Sequence, residues 1–236
     1  MKAPVICIDG PAASGKTTVA RSLADRLGFF YLDTGVLYRA ITWVALQRGI
    51  PTGDAEKLGK LAGEVRIEVK PAPPGDPRQT IVMADGEDVS LAIRSPEVDA
   101  NVSEVSAHPS VRAALAGVQR SIADKGRVIL AGRDAGTVVW PEAEVKVYLT
   151  ASEEERARRR VKQAEEQGIH IDFDTVLADL RRRDLYDSSR AVAPLRAAPD
   201  AVVVDTTSLT VEQVVQEVLK IVCQKTGVCV QQPGTR

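Results

Sequence analysis

The fold of this chain is decided by Val5-Ile6-Cys7-Ile8-Asp9-Gly10-Pro11-Ala12-Ala13-Ser14-Gly15-Lys16-Thr17-Thr18. Its first four residues form a continuous apolar run, which is typical of a strand buried on both faces. From Thr17 to Leu27 the apolar residues recur at helical spacing, and Gly28 ends that segment. The sequence therefore predicts a glycine-rich loop between a buried strand and a helix.

Residues 10–17 match the pattern Gly-x4-Gly-Lys-Thr. Its glycines let backbone N–H groups curl around phosphate oxygens, and the N-terminus of the following helix adds a positive dipole end. In such a loop Lys16 reaches the β- and γ-phosphates, and the hydroxyl of Thr17 binds Mg²⁺. We therefore expect a nucleoside triphosphate site formed by Gly10, Pro11, Ala12, Ala13, Ser14, Gly15, Lys16, Thr17 and Thr18.

The rest of the chain alternates strand candidates with helical patterns. Short apolar runs occupy residues 29–32, 127–131, 145–149 and 201–204, and Thr210 with Gln213 starts the last helix. This order predicts an α/β fold with a parallel sheet covered by helices on both faces. Residues 63–94 break the rhythm with two alternating segments and an Asp85-Gly86 turn, so a small antiparallel insertion is expected there.

Composition excludes several functional classes. The 236 residues carry a formal net charge of −1, which argues against binding to long nucleic acids, and no run is apolar enough to cross a membrane. The three cysteines form no CxxC motif and there are two histidines, so neither a zinc site nor a disulfide framework is expected. The expected compartment is a reduced cytoplasm.

Two further segments follow predicted strands and carry cations. In residues 33–39 we expect Thr34 to cap the next helix and Arg39 to point toward the cleft. Residues 132–137 contain Arg133 and lie at the carboxyl end of a strand, where doubly wound sheets bind ligands. Because the sequence has no Asn-Lys-x-Asp motif and no strand ending in Asp-Glu, a kinase acting on a small phosphorylated acceptor is favoured over a guanine-specific switch or a motor ATPase.

Eight arginines lie between Arg156 and Arg190. They form two groups, the first at residues 156–160 and the second at residues 181–190. In the first group, Arg156, Arg159 and Arg160 share one helical face. The two groups predict a helical hairpin that acts as a mobile lid, because cations there would neutralise the transferred phosphoryl group and the closed hairpin would exclude water.

Taken together, these segments resemble bacterial cytidylate kinases, a family of nucleoside monophosphate kinases with a P-loop fold. The resemblance is carried by Ile8-Asp9-Gly10-Pro11, Leu32-Asp33-Thr34-Gly35, Ala131-Gly132-Arg133-Asp134, Arg183-Asp184 and Ala193-Pro194-Leu195. It runs nearly end to end. We expect a core of residues 1–62, 95–151 and 191–227, a lid at 152–190 and a flexible tail at 228–236, and the small sheet expected at 63–94 fits the acceptor-binding insertion of that family.

The resemblance also implies an activity and its residues. The activity is phosphoryl transfer from MgATP to CMP or dCMP, and the implied catalytic residues are Lys16, Arg39, Arg133 and Arg190. Arg156 and Arg160 are implied to bind ATP with the loop. The implied acceptor site has Thr34, Arg39, Arg133 and Arg190 around the monophosphate, Ser103, Arg112 and Asp134 around the base, and Arg183 and Asp187 near the sugar.

The residues by themselves leave alternatives open. A kinase for UMP, AMP or shikimate would share the loop and the fold, and a non-catalytic ATP-binding protein would share the loop. We expect small nucleotides as the partners, no nucleic acid polymer, no membrane and a monomer.

Overall fold

The computed structural model describes residues 3–73, 75–76, 78, 80–166 and 168–230. Its strands within these residues are β1 Val5–Asp9, β2 Phe30–Asp33, β3 Ile67–Pro71, β4 Thr80–Ala84, β5 Glu87–Asp88, β6 Val128–Gly132, β7 Val145–Thr150 and β8 Val202–Asp205. The α-helices are α1 Lys16–Leu27, α2 Gly35–Gln47, α3 Ala55–Glu64, α4 Pro96–Ala107, α5 Pro109–Ala123, α6 Glu153–Glu165, α7 Phe173–Ser189 and α8 Val211–Thr226. A 3₁₀ turn spans Ala92–Arg94 and a π-helix spans Ala135–Val139.

The main sheet has the strand order β2-β6-β1-β7-β8, and each neighbouring pair is parallel. Alternate residues of a strand point to opposite faces, so β1 contributes to two separate apolar clusters. Val5 and Cys7 pack with α2, α3, α4 and α5, whereas Ile6 and Ile8 pack with α1 and α8. The predicted parallel sheet with helices on both faces is confirmed.

The segment that broke the strand–helix rhythm forms a small antiparallel sheet in the order β3-β4-β5. Asp85-Gly86 connects β4 to β5 as a turn, as predicted. Ile67, Val82 and Ala84 of this sheet are buried in the same cluster as α2. The insertion is therefore packed onto the domain through its own apolar face.

The pairing of β1 with β6 positions the candidate site. Asp9 at the end of β1 lies opposite Gly132 at the end of β6 in this parallel register. The loop that follows β1 and the loop that follows β6 therefore leave the sheet at the same edge. Residues 132–139, which we call the Arg133 loop, include the π-helix.

The C-terminal segment contains a disulfide, although the sequence led us to expect no disulfide framework. A disulfide joins Cys223 on α8 to Cys229, while Cys7 is a buried free thiol. Gly227 ends α8 in the left-handed conformation, with φ 73°, and this turn brings the chain back toward Cys223. Of the predicted tail, residues 231–236 lie outside the described residues. No helix in the described part of the chain is long and apolar enough to span a membrane.

Because apolar clusters cover both faces of the main sheet, truncating a buried side chain on a central strand should strongly lower the free energy of unfolding. Leu130 on β6 is fully buried, so Leu130→Ala should lower the free energy of unfolding by ~2–5 kcal/mol in urea denaturation. Val203 on the edge strand β8 is 58% exposed, and Val203→Ala should change that value by less than ~0.5 kcal/mol. Equal losses in the two variants would contradict this description of the core.

Candidate active site

The loop after β1 contains several residues with left-handed backbone conformations. Gly10, Ala13 and Gly15 have positive φ values of 150°, 58° and 93°. A Cβ atom on Gly10 would overlap the carbonyl oxygen of Leu149, so the loop can pass β7 only with glycine there. Gly15 precedes α1 and has no side chain to cap the helix amides. A concave set of amides at a helix N-terminus is the geometry that binds an anion.

Lys16 is buried within this loop. Its Nζ donates to the carbonyl oxygen of Pro11 at 2.5 Å and lies 3.4 Å from the hydroxyl of Ser14. Burial holds the pKa of Lys16 well below its ordinary value, and the nearby guanidinium of Arg133 is the next cause. A bound polyphosphate would supply the negative charge that favours the protonated amine.

These features fit a nucleoside triphosphate with Mg²⁺. The amides and Lys16 would hold phosphate oxygens, and Thr17 is an exposed residue in the first turn of α1, next to the loop. Its hydroxyl is the group that would bind the metal ion. The other residues predicted to bind the triphosphate lie in the loop or in the first turn of α1, and they include Pro11, Ala12 and Thr18.

Arginines and carboxylates form a buried cluster beside the loop. Arg112 on α5 is 8% exposed, contacts Asp134 directly and also donates to the carbonyl oxygen of Ser106 at 3.0 Å. Arg133 donates from Nε to Asp187 at 2.9 Å, and Arg190 lies 3.8 Å from the other oxygen of Asp187. Residues from α5, α7 and the Arg133 loop thus converge at one edge of the sheet.

Two arginines near the end of α7 have buried donors that are not fully satisfied. Among the residues that the structure describes, Arg183 Nε and Arg190 Nη2 are buried nitrogens without a hydrogen-bond partner. Burial lowers the pKa of Arg183 to about 10, with the neighbouring guanidinium of Arg133 as the second cause. Unpaired buried donors on cations are costly, and an anionic ligand would satisfy them.

The remaining predicted acceptor residues line the same region less directly. Arg39 donates to Asp99 on α4 at 2.5 Å and to the carbonyl oxygen of Ile93 at 3.1 Å. Ser103 is half-buried on α4, one turn after Asp99. Thr34 occupies the N-cap position of α2, as expected, but its hydroxyl does not bond to the helix amides. It donates instead to the carbonyl oxygen of Ala131 at 3.1 Å, because Gly132 leaves room for it.

The lid arginines differ in what they contact. Arg156 is buried and donates to the carbonyl oxygen of Ala12 in the loop, at 3.2 Å, while pairing with Asp184 of α7 at 2.6 Å. Arg160 is exposed and donates to Gln163 on its own helix. The contributions of both residues to ATP binding stay predictions.

Sequence reasoning named Arg159 only as one of the arginines on the lid face, and it missed Thr206. Arg159 donates to the hydroxyl and the carbonyl oxygen of Thr206 at 3.0 and 2.6 Å. The Thr206 hydroxyl in turn lies 3.3 Å from the carbonyl oxygen of Ser14, so α6 is linked to the phosphate-binding loop. The shared helical face pointed to Arg159, but nothing in the sequence placed Thr206 beside it.

Asp9 was also missed as a site residue. Its carboxylate is buried, and burial raises its pKa to about 6 even though two backbone amides of the Arg133 loop bond to it. The available signal was a carboxylate that ends an otherwise apolar strand immediately before the glycine-rich loop.

Comparison with known families gives a match over most of the chain. The family model described as cytidylate kinase matches residues 6–224. The cytidylate kinase of Mycolicibacterium paratuberculosis is 50% identical over 225 residues, which cover 95% of this chain and 97% of the relative. The cytidylate kinase of Anoxybacillus flavithermus is 47% identical over 93% of this chain and 96% of its own length.

Other matches are longer or more distant. A bifunctional pantoate ligase/cytidylate kinase of Synechococcus sp. is 49% identical over 92% of this chain, and the chain spans 40% of that protein's length. Among solved structures, a shikimate kinase from Acinetobacter baumannii in complex with shikimate aligns with 18% identity, a TM-score of 0.45 and 95% coverage of each chain.

The contact between Gly10 and β7 predicts a matched pair of glycine variants. Gly10→Ala should weaken binding of a non-hydrolysable ATP analogue, measured by calorimetry, by at least ~10-fold, because strained backbone costs ~1–3 kcal/mol. Gly63→Ala on α3 should leave binding unchanged, since no described atom lies within 4 Å of the added Cβ. Unaltered affinity in Gly10→Ala would contradict the proposed loop geometry.

Proposed function

We propose that this chain, which belongs to the cytidylate kinase family, transfers the γ-phosphoryl group of ATP to CMP or dCMP, giving ADP and CDP or dCDP. One observation carries the proposal. Arg133, which is predicted to bind the monophosphate of the acceptor, donates to the carbonyl oxygen of Gly10 in the phosphate-binding loop at 3.2 Å. Groups suited to two phosphate-bearing ligands therefore share one edge of the sheet.

The transfer needs little covalent chemistry from the protein. The attacking atom is a phosphate oxygen of CMP that is already ionised, so no general base is required. It bonds to the γ-phosphorus as the bond to the bridging oxygen of ATP breaks, and ADP leaves with that electron pair. Lys16 and Arg133 would neutralise charge on the transferring group and align the two phosphates. Mg²⁺, held by Thr17, would supply further neutralisation.

The Arg112–Asp134 pair would read the base. Cytosine has an amino donor at position 4 and an acceptor at N3, whereas uracil presents the reverse. The carboxylate of Asp134 accepts from the cytosine amine, and the guanidinium of Arg112 donates to N3 or O2. Uracil would leave buried polar groups unpaired on both sides, at a cost of ~1–3 kcal/mol each.

The other parts of the chain complete the proposal. Residues 63–94 would contribute to acceptor binding and residues 152–190 would act as the lid, with the surrounding segments as the core. The lid proposal is supported by α6 and α7, which pack together through Ala157, Val176 and Leu180 and bring Arg156 to the loop. The partners in this proposal are ATP, CMP and dCMP, and the working unit is a monomer.

The first test is an acceptor screen that measures ADP release. We expect turnover with CMP and dCMP, and turnover lowered at least ~100-fold in Lys16→Ala, because one preorganised charge is worth a few kcal/mol at the transition state. Turnover only with AMP or shikimate would contradict the proposed acceptor. Near-normal turnover in Lys16→Ala would remove Lys16 from the mechanism.

The second test exchanges the hydrogen-bonding pattern at the base. Asp134→Asn keeps an acceptor for cytosine and adds a donor for the uracil carbonyl, so the ratio of kcat/KM for CMP over UMP should fall by ~10-fold or more. The KM for ATP should stay near its wild-type value. A preserved CMP/UMP ratio together with a raised KM for ATP would place Asp134 on the donor side.

A further inference from the structure

We propose that Asp9 is a positioning residue for phosphoryl transfer, whose carboxylate holds the Arg133 loop in register with the phosphate-binding loop. The inference rests on the proposed kinase function and adds to it a residue that is predicted to touch neither nucleotide. Asp9 acts on the reaction through Arg133, which lies between the two phosphate sites.

The carboxylate bonds to the Arg133 loop through both oxygens. Oδ1 accepts from the backbone amide of Ala135 at 2.8 Å, and Oδ2 accepts from that of Gly136 at 2.7 Å. Asp9 is the last residue of β1 and is 5% exposed, so the strand that leads into the donor loop also fixes the loop after β6.

Arg133 in turn connects its own loop back to the phosphate-binding loop. Its Nη1 donates to the carbonyl oxygen of Gly10, the residue after Asp9, at 3.2 Å. Its Nε donates to Asp187 on α7 at 2.9 Å. The guanidinium is thus located by the donor loop on one side and by the lid on the other, while its backbone depends on Asp9.

The chemistry of this contact explains why a carboxylate stands there. Two neighbouring N–H groups need two acceptors, and a carboxylate offers both in one plane, whereas an amide side chain offers one acceptor and one clashing donor. The desolvation of Asp9, seen in its raised pKa, is a cost that the fold carries at this position. Misplacing a reacting group by about 1 Å lowers rate by ~100-fold, so a precise loop position has a kinetic effect.

The test is a double-mutant cycle on Asp9 and Arg133 in the full-length protein. Asp9→Asn should lower kcat for CMP by at least ~10-fold at saturating substrates, while the Kd for a non-hydrolysable ATP analogue stays within about 2-fold. In an Arg133→Ala background, the same substitution should lower kcat by less than about 3-fold, since the group that Asp9 positions is already absent.

A control keeps general loss of stability apart from positioning. Asp54 also accepts a hydrogen bond from a backbone amide, that of Lys57 at 3.0 Å, but at the start of α3, a helix that carries none of the predicted site residues. Asp54→Asn should leave kcat unchanged, because asparagine caps helices as well as aspartate does. If Asp9→Asn does not fold by circular dichroism, Asp9→Glu enters the same cycle, with the same reduced effect expected without Arg133.

Four results would overturn the inference. Equal losses of kcat with and without Arg133 would show that Asp9 acts independently of it. Weaker binding of the ATP analogue by Asp9→Asn would show that Asp9 supports the phosphate-binding loop instead. Unchanged kcat in Asp9→Asn, with normal wild-type turnover, would overturn this inference alone, whereas absent wild-type turnover on CMP would overturn the proposed function together with it.

Discussion

Parallel hydrogen bonding between β1 and β6 sets Asp9 opposite Gly132, and the two loops that form the centre of the candidate site begin from that register. Both strands are buried on two faces, so their register is fixed by side chains that enter two different apolar clusters. A shift of one residue would exchange those faces. The loops that follow the strands are consequently held side by side by the core itself.

Buried cations and carboxylates lie close together at this edge of the sheet. Lys16 and Arg183 have lowered pKa values because they are buried close to Arg133. Asp134 and Asp187 neutralise part of this cationic cluster through ion pairs with Arg112 and Arg133. The carboxylates do not satisfy every donor of this cluster, and buried cations with unsatisfied donors favour an anionic ligand.

The strands, the main helices and the phosphate-binding loop could be predicted because each depends on local pattern. Apolar runs predicted β1 and β6, and the Asp85-Gly86 turn predicted the hairpin. The Thr210–Gln213 capping box is present as expected. Details set by tertiary packing could not be predicted. Spacing placed Arg159 and Arg160 on one helical face, but Thr206, distant in sequence, decides that Arg159 is the one held at the loop.

The direct contact between Arg112 and Asp134 has a consequence for how the site treats an incorrect base. In the proposed base-binding role, each group is the other's partner, so a base would have to offer contacts that replace the ion pair. Cytosine would offer a donor to Asp134 and an acceptor to Arg112. A base that matches neither group would separate two buried opposite charges without replacing their interaction, so the stability of the ion pair itself would act against it.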